Sequence, residues 1–351
     1  MKKKVFALML SCMVLFSITA GLTGCGSSST NGEVNVFNWG EYIDESLLEK
    51  FEAETGIKVN YTTYSDNESL YSILSSGSAT YDVIVPSDYM ISRMISEDML
   101  EELDFDHIPN FSYIDEAYQN LEYDPTNAYS VPYTWGSVGI IYNTTMVDYV
   151  PDSWSVLWDE SLSGQILMFD NSRDALGIAL KYLGYSQNST DPAEITEAMD
   201  LLIQQKPLVQ TYVMDQIFDK LEGGEAAVGP YYAGDAITMM EENPDLAYVV
   251  PKEGTNLFVD AMCIPKGAEN KENAEAFINF MCDPENMAVN ITYLGYSSPS
   301  SAAKELLDDA LKNSPIAYPD ASLMANMETF INLPQDILDL YDSEWIRLMT
   351  N

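Results

Sequence analysis

Short unbroken runs of apolar residues, each stopped by a turn and followed by an amphipathic stripe, constrain this chain more than any other feature. Val83-Ile84-Val85, halted by Pro86, is one such run, and Val138 to Tyr142 and Ile166 to Phe169 repeat it. A strand that is apolar at successive rather than alternate positions is covered on both faces, as in a sheet sandwiched between helices. Val34 to Phe37, Ile57 to Tyr61, Ala226 to Gly229 and Phe258 to Ile264 read as further strands. Helical stripes lie between them. Asp44 offers an N-cap, Leu47, Leu48 and Phe51 line one face, and Gly56 ends the helix. Other stripes are Ile195, Met199, Leu202 and Ile203; Val213, Ile217, Phe218 and Leu221; Ala274, Phe277, Ile278 and Met281; and Leu338, Tyr341, Trp345 and Leu348. The alternation predicts an α/β architecture with mainly parallel sheets and flanking helices. At 351 residues the expectation is two domains.

Charge narrows the partners. The chain carries 55 acidic against 16 basic residues, a formal net charge of −39, with 46% apolar residues. That apolar content supports packed cores, and the acidity repels nucleic-acid phosphates, so nucleic acid is not an expected partner. No G-x-S-x-G, P-loop or G-x-G-x-x-G occurs, so neither an enzyme nor a bound cofactor is expected. The single histidine, His107, excludes a multi-histidine metal site and reads as a solvated surface residue.

Lys2, Lys3 and Lys4 followed by the apolar stretch Val5 to Ala20 have the form of a secretory signal. Leu22-Thr23-Gly24-Cys25 resembles the lipobox of bacterial lipoproteins, in which cleavage precedes a cysteine that is then lipidated. Residues 1–24 are thus read as a lipoprotein signal peptide. Cys25 is read as the lipid attachment site, with residues 25–32 as a flexible tether holding the chain at the extracytoplasmic face of the cell membrane. Cys263 and Cys282 remain. A disulfide between them is one reading, and two buried thiols are the favoured one.

Polar-aromatic clusters flank several strand ends: Asn38-Trp39-Gly40-Glu41-Tyr42, Pro86-Ser87-Asp88-Tyr89, Tyr133-Thr134-Trp135-Gly136 and Tyr231-Tyr232-Ala233-Gly234-Asp235. Carboxyl ends of strands line the ligand crevice in open α/β sheets. Aromatic faces with carboxylates suit an organic ammonium, through cation–π attraction and charge pairing. The same rings also stack on sugars, so a secreted carbohydrate-active or sugar-binding lipoprotein is the alternative.

At these residues the chain resembles the spermidine/putrescine-binding lipoproteins of bacterial polyamine ABC transporters. The resemblance runs from about Val34 to the C-terminal helix. It rests on Asn38-Trp39-x-Glu41-Tyr42, Phe51-x-x-Glu54-Thr55-Gly56-Ile57-x-Val59, Val85-Pro86-Ser87-x-Tyr89 and Val131-Pro132-Tyr133-x-Trp135-Gly136. It continues through Leu183-Gly184-Tyr185-Ser186, Pro251-Lys252-Glu253-Gly254, Ile264-Pro265 and Ile278-Asn279-Phe280. It implies a two-lobed, type II periplasmic-binding-protein-like fold that closes on its ligand, working as a monomer with an ABC permease and its ATPase. The implied lobes are residues 33–136 plus about 261–305, and 137–260 plus about 306–351.

The resemblance places Trp39, Tyr42, Ser87 and Tyr89 at the ligand from the first lobe. Asp174 supplies a carboxylate from the second, and Asp260 is the main amine-binding aspartate. Tyr232 and Phe258 stand at positions where relatives carry Trp. Three departures bear on selectivity. Gly40 replaces a Ser or Thr, Asn171 stands where spermidine binders tend to have Asp, and Asp235 resembles the aspartate of a Trp-Ala-Gly-Asp turn in putrescine-preferring members. Asp235 reads equally as an N-cap for Ala236 to Glu242, and Asp88 either caps Tyr89 to Ser96 or faces the cleft.

Overall fold

The computed structural model describes residues 31–77 and 79–350, so the signal segment and Cys25 lie outside the described residues. Among the described residues nine strands form one sheet: β1 Glu33–Trp39, β2 Lys58–Tyr64, β3 Val83–Ile84, β4 Ser130–Asn143, β5 Ile166–Phe169, β6 Val209–Val213, β7 Val228–Tyr232, β8 Leu246–Val249 and β9 Leu257–Cys263. Their order is β2-β1-β3-β9-β4-β7-β5-β6, with β8 also paired to β4. The outer strands pair in parallel, β1 with β2 and β3, and β5 with β6 and β7. The central strands do not follow that expectation: β9 pairs antiparallel with β3 and β4, and β4 antiparallel with β7 and β8.

β4 is the strand that joins the two halves. Ser130 to Ser137 pair with β9, and from Val138 the same strand pairs with β7. The apolar run Val138 to Tyr142 announces only its second half; the first half contains Pro132, which removes a ladder donor. The structure accommodates it with a register shift between Pro132 and Thr134. The irregularity falls at Tyr133, whose hydroxyl donates to the Tyr42 carbonyl at 2.6 Å.

Helices follow the strands: α1 Ser46–Thr55, α2 Asn67–Ser76, α3 Asp88–Ser96, α4 Ser172–Leu183, α5 Pro192–Gln205, α6 Gln216–Glu222, α7 Ala233–Glu242, α8 Lys271–Met281 and α9 Pro284–Leu294, with a closing helix Gln335–Thr350. Gly56 ends α1 at φ 71°, a left-handed conformation that glycine adopts without steric cost. Asp44 is not the N-cap. Glu45 holds that position, while the Asp44 carboxylate accepts from the Ser46 N–H. Val213 likewise ends β6 instead of opening a helix, since its register with Phe169 claims it for the sheet.

β1 shows how the two-faced strands pack. Val34 and Val36 join one core with Phe51, Phe277 and Ile278, while Phe37 joins another with Ile84, Met90 and Ile91. A separate large core surrounds β5 and β7, with Trp154, Leu176 and Met199. Leu307 packs in the first of these cores and Tyr318 against it, whereas Leu333, Ile337, Tyr341 and Leu348 pack in the large core. Cys263 and Cys282 are free and buried. His107 is exposed as expected, although its Nδ1 lies 2.7 Å from the buried Glu275 carboxylate.

Candidate functional site

Four strand ends feed one loop and three helix N-termini into one cleft between the cores. β1 leads to the Trp39-to-Tyr42 loop, β3 to α3, β5 to α4 and β7 to α7. The cleft encloses about 860 Å³ when the space open to solvent at its mouth is included. Trp39, Tyr42, Ser87, Asp88, Tyr89, Asn171, Asp174, Tyr232, Asp235, Phe258 and Asp260 all line it. It also takes residues that local patterning does not mark, among them Tyr64, Arg173, Asp215, Asn256, Tyr296 and Phe330.

Asp260, on β9, sits at its centre and is 4% exposed. The Tyr42 hydroxyl donates to Oδ2 at 2.5 Å, whereas Oδ1 has no hydrogen-bond partner. Burial raises the carboxyl from 3.8 to about 6 against the opposing effects of the Ser87 and Tyr42 side chains. A buried carboxylate oxygen without a donor is costly unless a ligand supplies one.

Asp88, Asp174 and Asp235 each stand in the first turn of a helix, where the positive end of the dipole favours a carboxylate. Asp174, in α4, accepts through Oδ2 from Asn171 Nδ2 and the Tyr232 hydroxyl, both at 2.9 Å. Burial raises it to about 7. Asn171 itself caps α4, its Oδ1 accepting from the backbone of Arg173 and Asp174. Asp235 is not an N-cap: α7 already starts at Ala233, and its carboxylate accepts from the Tyr296 hydroxyl at 3.0 Å. Burial raises it to about 7, with the nearby Asp215 adding to the rise. Tyr231 and Tyr232, placed by the sequence after a strand, are the last residues of β7 itself.

Asp88 is not the N-cap of α3, a position that Ser87 holds. It opens α3 and lines the cleft, but Oδ1 accepts from the Tyr89 N–H at 2.7 Å and Oδ2 from the Val259 N–H at 3.3 Å. It therefore fastens α3 to β9, and burial lifts it to about 8.

The rings form a continuous wall. Trp39 packs on Tyr64 at 4.8 Å between centroids and donates its indole N–H to the Val85 carbonyl at 2.8 Å. Tyr42 and Phe258 each meet Tyr296 edge to face, at 5.7 and 5.8 Å, and Tyr232 meets Phe258 at 5.6 Å. Two glycines make room for this packing. A Cβ on Gly136 would lie 2.7 Å from the Phe258 ring, and one on Gly234 would lie 2.4 Å from the Tyr296 ring. Gly40 is also close-packed, since a Cβ there would stand 3.2 Å from the Asp215 carboxylate.

Cores on either side bridged by β4, with an aromatic and acidic cleft where the strand ends meet, define a two-lobed solute-binding protein. The chain belongs to the bacterial extracellular solute-binding protein family, whose sequence profile matches residues 46–319. It is 36% identical to the spermidine/putrescine-binding periplasmic protein of Escherichia coli, over 89% of this chain and 91% of that one. Among solved structures it is similar to one from Listeria monocytogenes provisionally named as a spermidine/putrescine ABC transporter. There identity is 42% and the TM-score 0.87, over 90% of this chain and 98% of that one. The spermidine/putrescine ABC transporter substrate-binding protein PotD of Streptococcus pneumoniae is 40% identical with a TM-score of 0.79, over 91% and 99% of the two chains. Among the described residues no helix is long and apolar enough to cross a membrane.

Proposed function

We propose that this protein captures a polyamine, putrescine or spermidine, outside the cell membrane and delivers it to the permease and ATPase of an ABC importer. One observation carries the reading: Asp260, buried beneath aromatic rings, presents a carboxylate oxygen with no partner to the cleft. An ammonium supplies the missing donors and the opposite charge, and ring faces offset its lost hydration. A neutral sugar supplies donors but no charge to offset the further aspartates of the cleft, Asp174, Asp215 and Asp235 among them.

In this reading Trp39, Tyr42, Tyr89, Tyr232 and Phe258 enclose the methylene chain. Asp260 takes one ammonium and Asp174 or Asp235 another, with Ser87 and Asn171 as neutral polar contacts and Asp88 holding the wall. The protein acts without catalysis or cofactor, as a monomer. Its lobes are residues 33–136 plus about 261–305, and 137–260 plus about 306–351. Leu307 packs with the core around Phe51 and Phe277, whereas Leu333, Ile337, Tyr341 and Leu348 pack with the large core. The chain is anchored through lipidated Cys25. A Cys25→Ala variant tests that anchor by moving from the membrane to the soluble fraction.

Titration calorimetry of the delipidated protein with putrescine, spermidine and spermine tests the central claim. Heat and a raised melting temperature with at least one amine are expected. No heat and no thermal shift with any of the three, or saturable binding of a sugar instead, overturns it.

A further inference from the structure

The face of α9 that meets solvent is apolar at its centre. Met287, Ile291 and Leu294 turn into the core, while Glu285, Val289 and Tyr293 follow one another at four-residue spacing along the outer side. Val289 and Tyr293 are each 43% exposed, and Leu306, after the short helix Ser301–Lys304, is 56% exposed. With Asp44 and Ala288 these residues line one open groove. The groove adjoins the mouth of the cleft. The Tyr293 hydroxyl donates to Glu41 Oε2 at 2.8 Å, and Glu41 lines the cleft in the loop that carries Trp39 and Tyr42. Glu41 stands at φ 47°, a left-handed conformation that costs energy for a residue with a side chain, and the bond from Tyr293 helps to hold it there.

Charge decides what can cover such a groove. Asp44 and Glu285 line it, and among the described residues no basic side chain does. Two lysines of neighbouring helices are engaged elsewhere. Lys50 donates to Asn286 Oδ1 at 2.6 Å and lies 3.9 Å from Glu54, and Lys304 sits 3.5 Å above the Tyr318 ring. Burial, the bond to Glu41 and the fields of Asp44 and Glu45 together raise the Tyr293 hydroxyl to about 12. An apolar floor with an acidic rim fits apolar side chains flanked by Lys or Arg. A second copy of this chain would bring the same acids and a formal net charge of −39. An anionic lipid surface is repelled for the same reason.

We propose that this groove is a docking surface for an extracytoplasmic segment of the ABC permease, one whose apolar side chains are flanked by Lys or Arg. This rests on the transport reading of the protein. A segment seated on Tyr293 touches the residue that holds Glu41, so the partner meets the loop of Trp39 and Tyr42 without entering the cleft. Contacts in the groove then govern delivery of the amine, whereas contacts in the cleft govern its capture.

Two readouts separate delivery from capture. One is uptake of labelled putrescine and spermidine by cells of the source strain in which each full-length variant replaces the wild-type chain. The other is calorimetry of the same variants with both amines. Val289→Asp combined with Leu306→Asp, and Asp44→Asn combined with Glu285→Gln, should each lower uptake by roughly tenfold or more at equal abundance. Their dissociation constants should stay within about threefold of wild type. Ile346→Asp, on the closing helix and 62% exposed, should leave uptake within about twofold. Melting curves verify folding, and the Asp44→Asn and Glu285→Gln pair, nearly isosteric, carries the test if the other pair does not fold. Uptake close to wild type in a folded groove variant overturns the proposal, as does an equal loss in Ile346→Asp or a parallel loss of amine binding. A photo-crosslinking residue at Val289 should give an adduct with the permease, and an adduct only with a second copy of this chain, or none, also overturns it. Binding of neither amine by the wild type removes the polyamine reading and this inference with it. Amine binding and uptake that the groove variants leave intact remove the inference alone.

Discussion

Replacing Asp260 by Asn separates binding from stability in opposite directions. The asparagine carbonyl still accepts from the Tyr42 hydroxyl, so the local geometry survives while the charge is lost. In the empty protein that charge is a burden. Burial holds the carboxyl near 6 against an ordinary 3.8, about two pH units, or roughly 3 kcal/mol at pH 7. Removing it should stabilise the empty variant by up to that amount, which raises its melting temperature by roughly 5 °C. Binding should change the other way. Truncating one partner of a buried ammonium–carboxylate pair costs about 2–5 kcal/mol, a weakening of roughly 30- to 4,000-fold. Differential scanning fluorimetry of the empty protein and calorimetry with putrescine and spermidine read the two effects separately. Asp260→Asn binding either amine within threefold of wild type refutes the assignment. So does an empty variant that melts lower than wild type, because the carboxylate would then be a structural group and not one awaiting a ligand.

Three other outcomes follow from the same geometry. Asp260, Asp174, Asp235 and Asp88 are raised to about 6, 7, 7 and 8, so the empty folded state binds more protons than the unfolded chain between about pH 4 and 8. The contribution of these groups to stability falls as pH rises through that window, and an ammonium ligand reverses it. Polyamine affinity should therefore be weaker at pH 5 than at pH 8, and binding at pH 7 should release protons, seen as a buffer-dependent enthalpy. Gly234→Ala puts a Cβ into the buried Tyr296 ring. It should cost about 1–3 kcal/mol of stability and at least tenfold in affinity, since Tyr296 holds Asp235; fluorimetry and calorimetry check both. Trp39→Ala removes a half-buried ring whose indole N–H is bonded to Val85. The fold should survive by circular dichroism while polyamine binding weakens at least tenfold.

Much of this molecule was determined by the chain itself. The continuous apolar run Ile166–Phe169, the Gly56 stop and the stripe of Ala274, Phe277, Ile278 and Met281 are local patterns. They produced the elements they announce because period and punctuation act over a few residues. The cluster Pro86 to Tyr89 was legible for the same reason, since a strand that ends in a turn delivers its next residues to the carboxyl edge of the sheet, whereas Tyr133 to Gly136 lies inside β4. What local pattern does not encode is pairing across a hundred residues. That β4 is one strand through Pro132, changes partner at Val138 and runs antiparallel to β9 depends on contacts between Ser130–Asn143 and residues beyond 227. The same limit governed the site. Arg173 is an ordinary helix-start arginine in the sequence, and only packing against Tyr89, Phe330 and Tyr341 makes it a buried cation facing the cleft. Asp235 reads as a cap until α7 begins two residues earlier and Tyr296 takes its carboxylate. Residue types and spacing determined which groups this protein has for holding a cation. Tertiary structure decided which of them lose their water, and a desolvated charge is the one whose energy a ligand can change.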